Sequence, residues 1–421
     1  MNMLKPSKLW VPLAVTAALA VPQLALAGVY VQCPGDTDGD ATWTGAEAQP
    51  PNTRCMHLSG GDGYSVMGDG KQLYTFGFSN LTGIKPGTGN IDARLDSGIL
   101  AATQPAPTIE LQEGDHFYLT LTNVGMVNRP DLFDPHSVHF HGFPNAAPIF
   151  DGLPEASITV NMGSSLTYFY NIVEPGTFIY HCHVEATEHM EMGMLGQLYV
   201  KPAQDGAVLN YDGKAYSQYV YNDGDGSTGY HKAYALQLGS FDHVFHEEHI
   251  GVQPLPFAAL TSTYTLLNGR GYPDTVSLDP LPAATDNPRA GITPGPGVVT
   301  TGQPLSSLVT LNRATEGTTL LLRISSLTVA DFFSVTALGL PMRVVGRGAR
   351  ILHGGGEVGG KDLSYDTSVI TLGGGETNDV LIDTSGVPAG TYFLYTTNLN
   401  YLSNGAEDNG GMMTEIVITD S

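Results

Sequence analysis

Basic side chains are scarce in this sequence. Its 421 residues carry 18 Lys and Arg against 41 Asp and Glu, a formal charge of −23. Such a surface repels nucleic acid and anionic membrane, and it attracts metal cations or a basic electron-transfer protein. Long apolar runs are also missing after the first residues, so no later stretch reaches the length needed to cross a bilayer. Apolar residues at helical spacing are hard to find. Short β-branched or aromatic runs recur instead between turn signals, among 52 Gly and 27 Pro. That pattern predicts an all-β chain of two Greek-key β-sandwiches.

Cysteine is nearly absent, with three residues. The first 27 residues read as an export signal: Lys5 and Lys8, an apolar run from Leu9 to Ala20, then Ala25-Leu26-Ala27 as a small-x-small cleavage site. Localisation is therefore expected to be periplasmic, outer-surface or secreted, where disulfides persist, and Cys33 is expected to pair with Cys55. Cys182 is then left single, and an odd cysteine in an exported chain is a partner-linking or a functional thiol.

In order along the chain, residues 28–70 are expected to be an irregular segment closed by that disulfide. Residues 71–200 form the first sandwich, 201–206 a linker, and 207–421 the second sandwich. Asp36, Asp38 and Asp40 fall on calcium-loop spacing, but Ala41 stands where glycine is expected, so a solvated acidic loop is the better reading. Predicted strands include 108–112, 116–122, 166–170 and 177–180. Ser334 to Pro341 lines up with Ser137 to Pro144, with Thr336 for His139, Leu338 for His141 and Phe333 for His136. Cys182 falls opposite Thr396 or Thr397, and Gly411-Met412 echoes Gly193-Met194. The second half is thus a repeat of the first without its histidines.

The chemistry gathers in two stretches, His136-Ser-Val-His139-Phe-His141-Gly142 and Tyr180-His181-Cys182-His183 with His189 and Met194. Side chains alternate along a strand, so His139 and His141 share a face. His181 and His183 likewise share one, with Cys182 opposite. Cys182 then faces one metal position with His136, His189 and Met194, and the flanking histidines face a second. A thiolate, two imidazoles and a thioether favour copper. Met190 and Met192 compete for the axial position, and Gly193 favours Met194 because it allows the returning turn.

These motifs resemble those of the multicopper oxidase and copper nitrite reductase superfamily, with Phe150-Asp151-Gly152 similar to the Asp-Gly stretch of laccase-like domains. The resemblance implies cupredoxin domains. It also implies a type 1 copper on His136, Cys182, His189 and Met194 as the electron entry. His139, His141, His181 and His183 are implied as ligands of a type 2/type 3 cluster that reduces O2. A small reductant, a phenol or a metal ion, or a redox protein would supply the electrons. A complete cluster needs about twice these histidines, so a homo-oligomer or another protein is expected to bring the rest. His243, His246 and His249 are expected on a solvated face. The alternatives are a type 1 copper electron-transfer protein with an incomplete second site, and a nitrite reductase-like enzyme.

Overall fold

The computed structural model describes residues 28–143, 147–289, 306–356 and 359–421. The expected leader, 1–27, and Pro144 lie outside them. The chain is all-β, with short helices in the connections.

The first sandwich packs two four-stranded sheets face to face. One runs Gln72–Asn80, Thr53–Val66, His116–Gly125, Ser165–Asn171; the other runs Ile109–Gln112, Leu195–Lys201, Gly176–His181, His139–Phe140. Strand 116–125 shows why such a sequence pairs this way: Phe117, Leu119 and Leu121 alternate inward to the core while His116 and Tyr118 stay wetter. Leu58, Phe76, Tyr168, Tyr170, Phe178 and Tyr180 fill the space between the sheets. The Asp115 carboxylate accepts the Gln112 N–H and closes the turn that sends adjacent strands to opposite sheets.

One expectation changes here. The segment 28–70 is not irregular throughout, because Thr53–Val66 is a 14-residue interior strand, paired parallel with His116–Gly125 and antiparallel with Gln72–Asn80. Its Gly60, Gly61 and Gly63 conceal the strand in sequence. Before it, Cys33 and Cys55 form the disulfide. The acidic loop closes on itself: Asp36 accepts the N–H groups of Asp38, Gly39 and Ala41, and Lys85 pairs with Asp38.

The second sandwich repeats the arrangement. Lys232–Phe241 and Thr319–Leu327 pair in parallel in one sheet, and Val309–Asn312 and Met413–Thr419 in the other. The first sandwich has parallel pairs at the same two places, Thr53–Val66 with His116–Gly125 and Ile109–Gln112 with Leu195–Lys201.

Two structures join the halves. Arg323 and Asp379, both fully buried, meet Thr177 of the first sandwich, whose hydroxyl donates to Asp379 Oδ1 at 2.6 Å. Helix His243–Ile250 inserts against the first core through Phe245. The solvated face expected for its histidines is therefore incorrect for two of them. His246 and His249 are buried: His246 contacts the carbonyls of Tyr74 and Glu191, and His249 contacts Glu188 and Arg129. A polar run of this kind carries no sign of the partner surface that buries it.

Candidate metal centre

Strand Gly176–His181 delivers the first donor set. His181 ends the strand opposite His139, and Cys182 follows with its side chain turned into the core. Helix Ala186–Glu191 then carries His189 back over the thiol. Gly193, at φ +116°, turns the chain, and the Met194 N–H donates to the His189 carbonyl at 2.8 Å. A side chain on Gly193 would collide with Gln104. Cys182 Sγ lies 3.2 Å from His189 Nδ1 and 4.0 Å from His136 Nδ1. Cys182, His136, His189 and Met194 are all fully buried. A Cβ on Gly60 would sit 3.0 Å from His136 and 3.3 Å from the Met194 methyl, so the absent side chain leaves that flank clear. Met190 instead packs with Ile179, Leu195 and Leu327, away from the thiol.

Burial alone would raise the Cys182 thiol pKa. The charge of His189 and hydrogen bonds from His136 and His189 overcome it and pull the thiol well below its ordinary value. Burial opposes charge on His189, but the Cys182 thiolate and Asp134 hold its pKa up. A soft thiolate with two converging imidazoles and a thioether nearby fits copper.

The second donor set lies one residue to either side of Cys182. One donor nitrogen each from His139, His141 and His181 lies within 4.8 Å of the others, and the Nε2 atoms of His141 and His181 face each other at 2.9 Å. Burial depresses the pKa of His181 to about 3, and burial followed by the charge of His139 lowers that of His141. Neutral imidazoles present lone pairs to a metal. The backbone fixes which nitrogen is free: His139 Nδ1 donates to the Asp151 carbonyl at 2.6 Å, and His181 Nδ1 to the Cys182 carbonyl at 2.7 Å. Gly152 makes the first of these possible. At φ +84° it lies so close to the Val138 carbonyl that a Cβ there would overlap it. His183 stands outside the close trio but lines the same cavity of about 350 Å³ with His141 and His181.

The second sandwich lacks these donors at the matching positions. Thr396 N–H donates to the Met412 carbonyl at 3.1 Å, as Cys182 N–H does to Met194 at 3.0 Å, so Thr396 rather than Thr397 is the counterpart of Cys182. Phe333 fills the place of His136 and packs edge-on against Tyr401, ring centroids 5.0 Å apart.

A profile described as "Multicopper oxidase" matches residues 93–205. Residues 93–205 are thus similar to that family over about a quarter of the chain. The chain is 28% identical over 179 residues to L-ascorbate oxidase of Cucurbita pepo var. melopepo, covering 40% of this chain and 27% of that protein. It is 28% identical over 181 residues to a copper-containing nitrite reductase of Pseudomonas chlororaphis, covering 40% of this chain and 43% of that one. The chain thus spans less than half the length of these curated relatives. The blue copper oxidase from Nitrosomonas europaea superposes with a TM-score of 0.57 at 19% identity, covering 87% of this chain and 86% of that one. At that identity the likeness speaks for the fold alone.

The carboxylates beside His189 escaped sequence reasoning. Asp134, Glu185 and His189 bring donor atoms within 4.8 Å of one another. Asp134 is two residues from His136 and Glu185 four from His189, so proximity to the ligands was the available signal.

Proposed function

We propose that this chain is an exported copper-dependent oxidoreductase that oxidises a small reductant, a phenol or a metal ion, and reduces dioxygen. Its type 1 copper ligands are His136, Cys182, His189 and Met194, and its second site uses His139, His141, His181 and His183. The observation that carries this reading is the convergence of a buried, acidified thiol with two imidazole Nδ1 atoms, adjacent in sequence to a second cluster of neutral imidazoles. Copper bound in the two places would supply one-electron acceptance at the first and dioxygen reduction at the second. The protein's own part is to orient and connect. Asp151 and Cys182 carbonyls aim the lone pairs of His139 and His181, and the backbone of residues 181–183 ties the two donor sets together. The buried first set excludes water, and the open cavity beside His183 admits a small molecule.

A second reading, a type 1 copper electron carrier, is favoured by one observation. Thr336 and Leu338 replace the histidines of the second sandwich, and Leu338 is exposed. The oxidase reading requires another copy or another protein to supply the missing donors. A nitrite reductase-like enzyme would need a third histidine at such an interface.

Copper counting and oxygen uptake on purified protein separate these readings. Turnover with more than one copper per chain supports the oxidase. One copper per chain with a blue band and no oxygen uptake supports the carrier.

A further inference from the structure

The helix that carries His189 is too short to hold itself. Ala186–Glu191 spans 6 residues, and Glu185 at its N-cap has φ +47° and makes no capping hydrogen bond with its side chain. A helix of under two turns without a cap is unstable alone and depends on what packs against it. Much of that support comes from the second sandwich, through the segment Asp242–His249. His249 Nε2 meets Glu188 Oε1 at 2.9 Å, the Asp242 N–H donates to Glu191 Oε1 at 2.7 Å, and His246 Nε2 lies 3.1 Å from the Glu191 carbonyl. Glu191, His246 and His249 are buried, so water competes little for these partners.

The direction of the first of these bonds is fixed. Arg129 Nη1 lies 3.0 Å from His249 Nδ1, and a guanidinium only donates, so Nδ1 accepts and Nε2 carries the ring proton toward Glu188. Arg129 is itself held by Asp131, with Nη2 and Oδ2 2.7 Å apart. An ordered run of donors and acceptors thus passes from the first sandwich through His249 of the second and back to the helix. Beneath that helix is the thiol. Cys182 has no exposed surface, and His189 Nδ1 stands 3.2 Å from its Sγ, so nothing from solvent reaches the sulfur while the helix is in place.

We propose that the second sandwich latches helix Ala186–Glu191 over Cys182 through the bond between His249 and Glu188, and that metal reaches the first donor set when this latch opens. His249 and Glu188 are positioning residues, acting on the thiol only through the helix that carries His189. The passage of copper rests on the proposed function, but the latch does not. The half of the molecule that lacks donors at the matching positions thereby takes a part in the first site. A hydrogen bond from an imidazole to a carboxylate is among the stronger ones, so its loss shifts the local opening equilibrium by about tenfold or more.

The test is the rate at which Cys182 reacts with dithiobis(nitrobenzoate) in the metal-free full chain, where Cys33 and Cys55 are tied up in the disulfide. Glu188→Ala and His249→Leu should each raise that rate by about tenfold or more, while Glu188→Gln, which keeps an oxygen to accept the Nε2–H, should stay near wild type. Alanine is the better helix former, so faster reaction in E188A reports the lost latch and not a weaker helix. Phe333→Ala, which loosens the second core away from the latch, should leave the rate unchanged. In the copper-loaded full chain, E188A should speed loss of the visible band to EDTA by a similar factor, and an unchanged loss would overturn the metal route. The latch is overturned if E188A reacts as slowly as wild type, if E188Q reacts as fast as E188A, or if F333A raises the rate as much as E188A does. Should H249L not fold, E188A and E188Q decide alone. A wild type that shows no visible band but keeps this pattern of thiol rates would sink the copper reading and leave the latch standing.

Discussion

Cys182 is buried among aromatic and aliphatic side chains, yet its thiol is acidified by two imidazoles aimed at it. A buried thiolate without such company is unfavourable, and this is the ground on which the proposed function takes the residue as a metal ligand. Cys182→Ser should abolish the intense visible absorption of the copper-loaded protein and remove one copper per chain. His141→Ala, on the other donor set, should leave that band in place. Absorption spectra and copper analysis of the two variants check both, and a band surviving in C182S would refute the type 1 assignment. At Gly152 the decisive property is the missing side chain. Gly152→Ala combines a positive φ with an overlap on Val138, so a loss of about 1–3 kcal/mol is expected in a chemical denaturation curve.

At the scale of elements, strand Thr53–Val66 carries a buried histidine that titrates with folding. Burial, and after it the charge of Arg94, depresses the His57 pKa to about 3, and Nε2 contacts Thr122 Oγ1 at 2.7 Å. The folded-state value lies below the unfolded one, so the folded chain binds fewer protons between them. Stability from this site is intact above about pH 6.5 and falls as pH drops toward 3. A His57→Gln variant should therefore show a flatter acid limb in stability against pH, and an unchanged slope would refute the assignment. This strand was hard to read in sequence because its glycines break the apolar alternation. By contrast, Gly176–His181 and His116–Gly125 were legible, since β-branched and aromatic residues alternate between clear turns. The two donor sets were legible for the same reason: the chemistry of His, Cys and Met is written in residue identity, and strand alternation sorts it into faces. What stayed hidden needed a partner surface to define it. Nothing local in His243–Ile250 shows that Tyr74, Glu188 and Glu191 wait for its imidazoles.

Among the described residues the second sandwich repeats the strand pairings of the first, and buried Phe333 stands where the first has His136. Phe333→Ala should cost about 3–5 kcal/mol through the cavity it opens, without touching the copper band. The two copies are held as one by the Arg323–Asp379–Thr177 cluster. Tyr221 donates to Asp379 Oδ2 at 2.6 Å, and the Arg323 guanidinium lies 4.8 Å over the Tyr199 ring. Thr177 sits on the strand that ends at His181, so the second sandwich braces the element that presents the Cys-His pair. Removing only the cation leaves a buried carboxylate uncompensated, a loss of roughly 3–5 kcal/mol, while removing both charges together restores much of it. Arg323→Met should therefore lower the melting temperature and split the calorimetric transition into two. Arg323→Met with Asp379→Leu should recover part of the loss, even though Thr177 and Tyr221 lose their acceptor. If the single variant melts as wild type does, the cluster does not hold the sandwiches together. Helix His243–Ile250, with its buried histidines against the first core, would then be the element that couples them.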